Sequence, residues 1–371
     1  MAGAPRLQSL PKDLKIHLLL CMPANDVGRL MLYAPDFAAI VREANLEKAY
    51  ENEDAFVVLS GYRSRGWNFL LSRFRDTKSV TPLPLSVTDR YLDLLPLSHC
   101  NGVICSRSDK DCVLMNPSIG YCKVLPRLLS QDLEEVNTFL GFSPSISKFK
   151  VVALSRSHPK LPFGNPRVLT VEDKECLWEW RALECDIADH KPESASDMSS
   201  VCINENLYYA AQLLLPTVPG SSSITMAMIC FNLKTEAFVS CQIPETSVSK
   251  YTRSETCPFN IRGKVGISFA DNKQGQHRIW VLEDVHQNNW SLLLLNIHPN
   301  ILDMDKWLPH GPPPFRGLTK NGGMVYAKAG VKDLVIGYFD DEQSQESIVE
   351  GVLRDRSMVL FWDYVSGVCF F

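Results

Sequence analysis

Two strand–turn–strand patterns recur along this chain, and they constrain its fold more than any other feature. In the first, Val113–Leu114–Met115 runs into Asn116–Pro117–Ser118–Ile119–Gly120 and leaves as Tyr121 to Leu125. Asn-Pro starts a turn and Gly120 can take positive φ, so the segment predicts a hairpin. Met228 to Phe231, Asn232 to Glu236 and Ala237 to Ile243 repeat it, and each copy closes on a proline, Pro126 or Pro244. In the second pattern, Val168 to Asp173 precedes Trp180–Arg181–Ala182–Leu183, and Ile279 to Asp284 precedes Trp290–Ser291–Leu292–Leu293. Both copies read strand, polar turn, Trp-led strand. Small antiparallel hairpins repeated in this way predict radial sheets, a β-propeller, with a large β-sandwich as the alternative. The repeats are too degenerate to give a blade number.

The first fifty residues follow a helical period instead. Ser9 can cap, and Pro11 falls in a first turn, where its missing N–H costs nothing. Leu14, Leu18 and Met22 recur every four residues, Leu19 widens the stripe, and Pro23 stops it. Asn25 can cap a second helix carrying Val27, Leu30 and Met31, and Pro35 opens a third carrying Phe37, Ile40 and Val41. Helices of two or three turns are too short to bury a core of their own, so these are expected to dock on something. The chain thus reads as α+β by segment: helical over 8–50, all-β over 55–371.

Composition removes several classes of function. A net charge of −4 with no Lys/Arg cluster gives no electrostatic footprint for nucleic acid. The longest apolar runs, such as Met226 to Phe231, fall far short of the ~18 residues of a membrane span. Met1 to Lys15 has no apolar core behind a charged leader, so no signal peptide is expected, and the expected location is cytoplasm, nucleus or both. Among 12 cysteines there is no CxxC, and only Cys100 and Cys105 approach the spacing of half a zinc site. Many sit among apolar neighbours, as in Ile229–Cys230–Phe231, the habit of reduced, buried thiols.

Residues 10–41 resemble the plant F-box. Leu10, Pro11, Leu14, Leu19, Pro23, Arg29, Ile40 and Val41 fall in its register, and Asp13, Leu18, Met22, Asp26 and Val27 are conservative matches. His17, Cys21 and Phe37 depart from it. Phe37 stands in place of Trp, an apolar anchor without the indole donor. The stretch that follows resembles the F-box-associated domain. Cys100–Asn101–Gly102–Val103–Ile104–Cys105 looks like its "CNGLLC" strand, and Val113 to Pro117 like its "vwNPxTG" hairpin. Leu140–Gly141–Phe142 with Phe149 to Val152 parallels "GYDPxxxxYKVV". Trp180–Arg181, Val201 to Asn204 with Leu207 to Tyr209, Ile229 to Asn232, and Ile279 to Asp284 continue the series in order.

The resemblance implies a substrate-recognition subunit of a Skp1–cullin–F-box ubiquitin ligase. Leu10, Pro11, Leu14, Leu18, Pro23, Val27, Leu30 and Phe37 would form or support an apolar face for a Skp1-type adaptor, and through it a cullin. Phe37→Trp is then expected to tighten adaptor binding by restoring the donor. The β domain would hold a target, expected to be a protein, with no nucleic acid or membrane partner. The alternative is a propeller binding module that the helices merely cap.

Catalytic motifs are absent from the sequence: it has no GxSxG, HExxH, Walker A or dinucleotide glycine fingerprint. Gly263–Lys264 reads as the start of a strand. His99 and Cys100 are adjacent strand residues that point to opposite faces, which disfavours a thiol–imidazole pair. Glu283–Asp284 and Asp340–Asp341–Glu342 read as solvated loop ends, and Trp178, Trp180, Trp280 and Trp290 as core. No catalytic residue, metal ligand or cofactor is expected, and the Ser/Pro-rich loops 186–200 and 216–223 are candidates for the recognition face.

Overall fold

The computed structural model describes residues 10–22, 26–27, 30, 34–43, 55–62, 66–73, 76–87, 95–107, 111–118, 120–128, 135–156, 166–172, 178–187, 190–192, 200–216, 222–244, 257–271, 276–296, 315–318, 323–329, 334–339, 344–349 and 357–361. Helix α1 (Lys12–Leu20) starts two residues later than a Ser9 cap would place it. Pro11, at φ −55° and ψ 149°, is the N-cap residue, and Ser9 lies outside the described residues. Cys21 ends the helix, its N–H reaching the carbonyls of His17 and Leu18. Asp26, Val27 and Leu30 are helical, and α2 (Pro35–Glu43) opens at Pro35, as its fixed φ favours.

These helices do bury a core, contrary to the expectation from their length. Leu19, Val27, Ala34, Phe37, Ile40 and Val41 form a cluster with Ile16, Leu18, Met22 and Leu30 packed against it, and none of these residues comes from the strand region. Short helices manage this by closing on one another around one large ring. Phe37 is fully buried, and the Lys15 ammonium lies 5.4 Å from its ring centre, so the lysine stem covers the ring.

From Ala55 on, the described chain is strands and tight turns. A first sheet holds β1 (Ala55–Tyr62), β2 (Gly66–Arg73) and β3 (Asp76–Val87). The second holds β4 (Leu95–Cys100), β5 (Val103–Arg107), β6 (Cys112–Asn116) and β7 (Tyr121–Val124). The third holds β8 (Glu135–Ser143), β9 (Lys148–Arg156), β10 (Arg167–Thr170) and β11 (Arg181–Ala182). In the fourth, β12 (His190–Pro192) and β13 (Ser200–Ile203) share one edge of β14 (Asn206–Pro216), followed by β15 (Ser222–Asn232) and β16 (Phe238–Gln242). The fifth holds β17 (Pro258–Ile261), β18 (Lys264–Asp271), β19 (Gln276–Asp284) and β20 (Asn289–Asn296). The sixth holds β21 (Phe315–Leu318), β22 (Met324–Ala329), β23 (Leu334–Phe339) and β24 (Ser344–Val349).

The last described strand, β25 (Ser357–Phe361), returns to pair antiparallel with β1, from Val57 opposite Phe361 to Gly61 opposite Ser357. This strand thereby completes the first sheet. Strands β4, β8, β13, β17 and β21 contact one another in succession, so these strands of the second to sixth sheets face a common axis. Among the described residues this is a β-propeller of six blades. Six separate antiparallel sheets exclude the two-layer sandwich.

Blade stacking explains why the strands read as continuous apolar runs. Each sheet has a neighbour on both faces, so both sets of alternating residues are buried. On β9, Val151 and Ala153 pack toward the second blade with Cys105, Leu114 and Trp180, while Val152 and Leu154 pack toward the fourth with Leu207, Tyr209 and Ile229. Met226 and Met228 on β15 turn the other way, onto Val265, Ile267 and Phe269 of the fifth blade. Three inner hairpins use the same two-residue turn with both φ positive: Asn101–Gly102 (46° and 75°), Asn204–Glu205 (47° and 65°) and Arg262–Gly263 (50° and 82°). That is the type I′ geometry, whose twist matches the strands it joins.

Candidate functional site

The eight residues expected at an adaptor face fall into two layers. Pro11 and Leu14 are exposed, Leu14 at 54%, and Leu10 beside them is half-buried. Pro11, the cap residue, stands three before Leu14 at the start of α1, with Leu18 one turn beyond Leu14. Leu18 and Leu30 are half-buried and packed on the helical core, and Val27 and Phe37 are fully buried within it. Pro23 lies outside the described residues. An outward apolar ridge thus rests on a layer of packed side chains. His17 and Cys21, two departures from the F-box pattern, are exposed, whereas Phe37, the third, is interior. Leu20 is 49% exposed and was missed, because it lies off the four-residue stripe.

The groups weighed for chemistry are consumed by the scaffold. Glu283 takes the Lys264 ammonium and the Ser291 hydroxyl, and these contacts hold its carboxyl below the usual range. Asp284 Oδ1 accepts the N–H groups of His286 (2.8 Å) and Gln287 (3.1 Å), fixing the β19–β20 turn. Asn232 does the same for Lys234 and Thr235 between β15 and β16, and Asn116 for Ser118 between β6 and β7. Trp180 Nε1 donates to Pro126 O (2.7 Å) and Trp178 Nε1 to Glu172 O (2.8 Å), with both indoles in the core between the second and third blades. Trp280 and Trp290 pack on the core between the fourth and fifth. His99 and Cys100 are both buried on β4. Asp340–Asp341–Glu342 and most of the loops 186–200 and 216–223 lie outside the described residues. Among the described residues no group of three His, Cys, Asp or Glu could hold a metal ion.

Polar contacts bind the third blade to both neighbours at the axis. Leu140 N donates to Ser98 Oγ (2.8 Å), and Ser98 Oγ meets Ser200 Oγ at 3.0 Å, so β4, β8 and β13 converge. Glu205, in the turn between β13 and β14, accepts Ser143 Oγ and Ser145 N, each at 2.8 Å, and is held below the usual carboxylate range by these bonds. Gly141 lets Leu233 pack close: a Cβ there would meet Leu233 Cδ1 at 2.7 Å, and that side chain would have to shift. Further out, Lys150 of the third blade is buried against Leu233 O and Glu236 (2.6 Å) of the fourth, and Arg181 also pairs with Glu236. His190 Nε2 bonds Tyr209 OH (2.9 Å), whose ring stacks on Phe139 with centroids 4.3 Å apart.

Fold and site together define a six-bladed propeller preceded by a self-packed helical segment with an apolar outer ridge. Residues 56–356 match the F-box associated beta propeller domain, and the chain belongs to that family. F-box protein At1g47810 of Arabidopsis thaliana is 26% identical over 327 residues, covering 77% of this chain and 87% of that protein. F-box protein At3g57590 of the same plant is 24% identical over 368 residues, covering 93% and 85%. Among solved structures, apo AztD from Citrobacter koseri overlaps 84% of this chain and 87% of its own at 11% identity, with a TM-score of 0.39, too loose to bear on function. No helix among the described residues is long and apolar enough to cross a membrane.

Proposed function

We propose that this chain is the substrate-recognition subunit of a Skp1–cullin–F-box ubiquitin ligase. Its helical segment, 8–50, binds a Skp1-type adaptor and through it a cullin. Its β domain, 55–371, holds a protein target, in the cytoplasm, the nucleus or both. The observation that carries this reading is the apolar ridge of exposed Pro11 and Leu14 with half-buried Leu10, beside helices that pack a core of their own. An exposed apolar ridge on a helix that needs no further packing marks a protein contact. The family match and the F-box names of the relatives point the same way.

The mechanism is positioning. A rigid ring joined to an adaptor raises the effective concentration of a target lysine near a ubiquitin-charged enzyme, and the chain supplies no catalytic group. Co-purification with a Skp1-type adaptor tests it. Leu14→Asp alters an exposed position and should leave folding intact, yet it places an unpaired charge in the contact and should reduce adaptor binding by at least ~10-fold. Equal capture of wild type and Leu14→Asp would favour the other reading, a propeller module that the helices only accompany.

A further inference from the structure

The convergence of β4, β8 and β13 has a second tier. Two residues along each strand from Ser98, Leu140 and Ser200 stand Cys100, Phe142 and Cys202, and the period of two puts both tiers on the same side. The Cys202 thiol donates to Phe142 O at 3.6 Å, and Cys100 in turn hydrogen-bonds Cys202. Strands β4 and β13 belong to different blades and contact each other across the third, with Ser98 and Ser200 already 3.0 Å apart. Cys100 is buried, whereas Cys202 is half-buried, the less covered of the two.

We propose that Cys100 and Cys202 are a peroxide-oxidisable pair, closed by a hydroperoxide into a disulfide that joins the second blade to the fourth over the third. The Cys202 sulfur, as thiolate, attacks one peroxide oxygen. The O–O bond breaks, the other oxygen leaves with a proton as alcohol or water, and Cys202 becomes a sulfenic acid. The Cys100 sulfur then gives up its proton and attacks the Cys202 sulfur, the S–O bond breaks, and water leaves. Two thiols lose two electrons and the peroxide gains them.

The other close pair is a poorer one. Cys105 and Cys112 have sulfurs 3.5 Å apart, but Cys105 pairs with Leu114 and Cys112 with Arg107, so the two cysteines are diagonal on adjacent strands. Diagonal positions stand about 7–8 Å apart at Cα, beyond the reach of an unstrained disulfide. Their thiols also differ in reactivity from Cys202. The hydrogen bond with Cys112 and complete burial push Cys105 up, and burial pushes Cys230 and Cys241 up to about 11. Cys202 is drawn down, chiefly by the bond from Cys100.

The test is to expose the full chain to a few equivalents of hydrogen peroxide, alkylate the remaining thiols and digest without reductant. A cross-linked peptide joining Cys100 to Cys202 is expected. It should vanish with dithiothreitol and in Cys202→Ala, and persist in Cys105→Ser. With limiting peroxide, Cys202 should be modified at least ~10-fold faster than Cys230 or Cys241. A link between Cys105 and Cys112 in its place, or Cys202 recovered as free thiol while other cysteines are oxidised, would overturn the proposal.

Discussion

Phe37 and Leu14 carry opposite duties within one small helical unit. Phe37 has no exposed surface and touches the Lys15 stem, so its size sets how the helices close. Phe37→Ala should destabilise the segment by about 3–5 kcal/mol, the cost of truncating a buried aromatic, and abolish adaptor capture without lying on the contact surface. The expectation that Phe37→Trp tightens binding gives way for the same reason. An indole has no free surface to reach from and must overpack the core, at about 1–3 kcal/mol. Far-UV melting of a peptide spanning residues 1–50 beside adaptor capture by the whole chain would separate the two substitutions. His277 shows residue-scale burial of another kind. It lies against Phe315 and Tyr326, ring centroids 4.6 and 5.4 Å away, with neither ring nitrogen hydrogen-bonded. Burial drops its pKa from 6.5 to about 4. Between those values the unfolded chain takes up a proton that the folded chain refuses. Stability is therefore undiminished above pH 6.5 and falls as pH drops toward 4, by on the order of 2 kcal/mol at pH 5. Urea midpoints at pH 7 and pH 5 should differ by less in His277→Phe than in wild type; an equal drop in both would assign the pH dependence to other groups.

At the scale of elements, blade-to-blade contacts rest on few polar groups, and they are unequal. The Lys150 side chain is 6% exposed and that of Glu236 is 17% exposed. Glu236→Ala leaves a buried ammonium with only the Leu233 carbonyl and should cost about 3–5 kcal/mol, whereas Lys150→Met removes the buried charge, leaves Glu236 its bond to Arg181, and should cost clearly less. Chemical denaturation of both variants gives the comparison, and a larger loss in Lys150→Met would reverse this account. How much of these elements could be read beforehand followed from turn chemistry. The two hairpin patterns seen in the sequence are one structural position: β6–β7, β10–β11, β15–β16 and β19–β20 all join the third and fourth strands of a blade. They were legible because Asn116, Asn232 and Asp284 fold their side chains into the turn, which demands those residue types. The inner hairpins escaped as a repeat because Asn-Gly, Asn-Glu and Arg-Gly share positive φ and little else, and only the first is a strong hairpin signal. In the helices the apolar period was visible but not its direction. Lys15 counts as polar, yet it is buried with Leu19, while Leu14 from the apparent stripe faces out.

For the whole molecule the decisive pairing is between its most distant strands. β25 meets β1 after some three hundred residues, and that pairing covers the free edge of β1 and gives the first blade its fourth strand. A contact of such sequence separation forms late and contributes to cooperativity more than its five residue pairs would suggest. The blade count was out of reach of sequence reading because closure depends on this one return, which has no local signature. A chain truncated after Arg356 should therefore lose more than one strand's worth of stability. Its β1 edge is unpaired, the first blade drops to three strands, and heating should give a broad, early transition with aggregation where the full chain gives a single one. The helical core uses residues 16–41 only, so adaptor capture by the truncated chain should survive at low temperature. Calorimetry beside a pull-down would read both. A sharp transition at an unchanged midpoint would show that the ring holds without its closing strand, and the stability of the blades would then rest on their face-to-face cores alone.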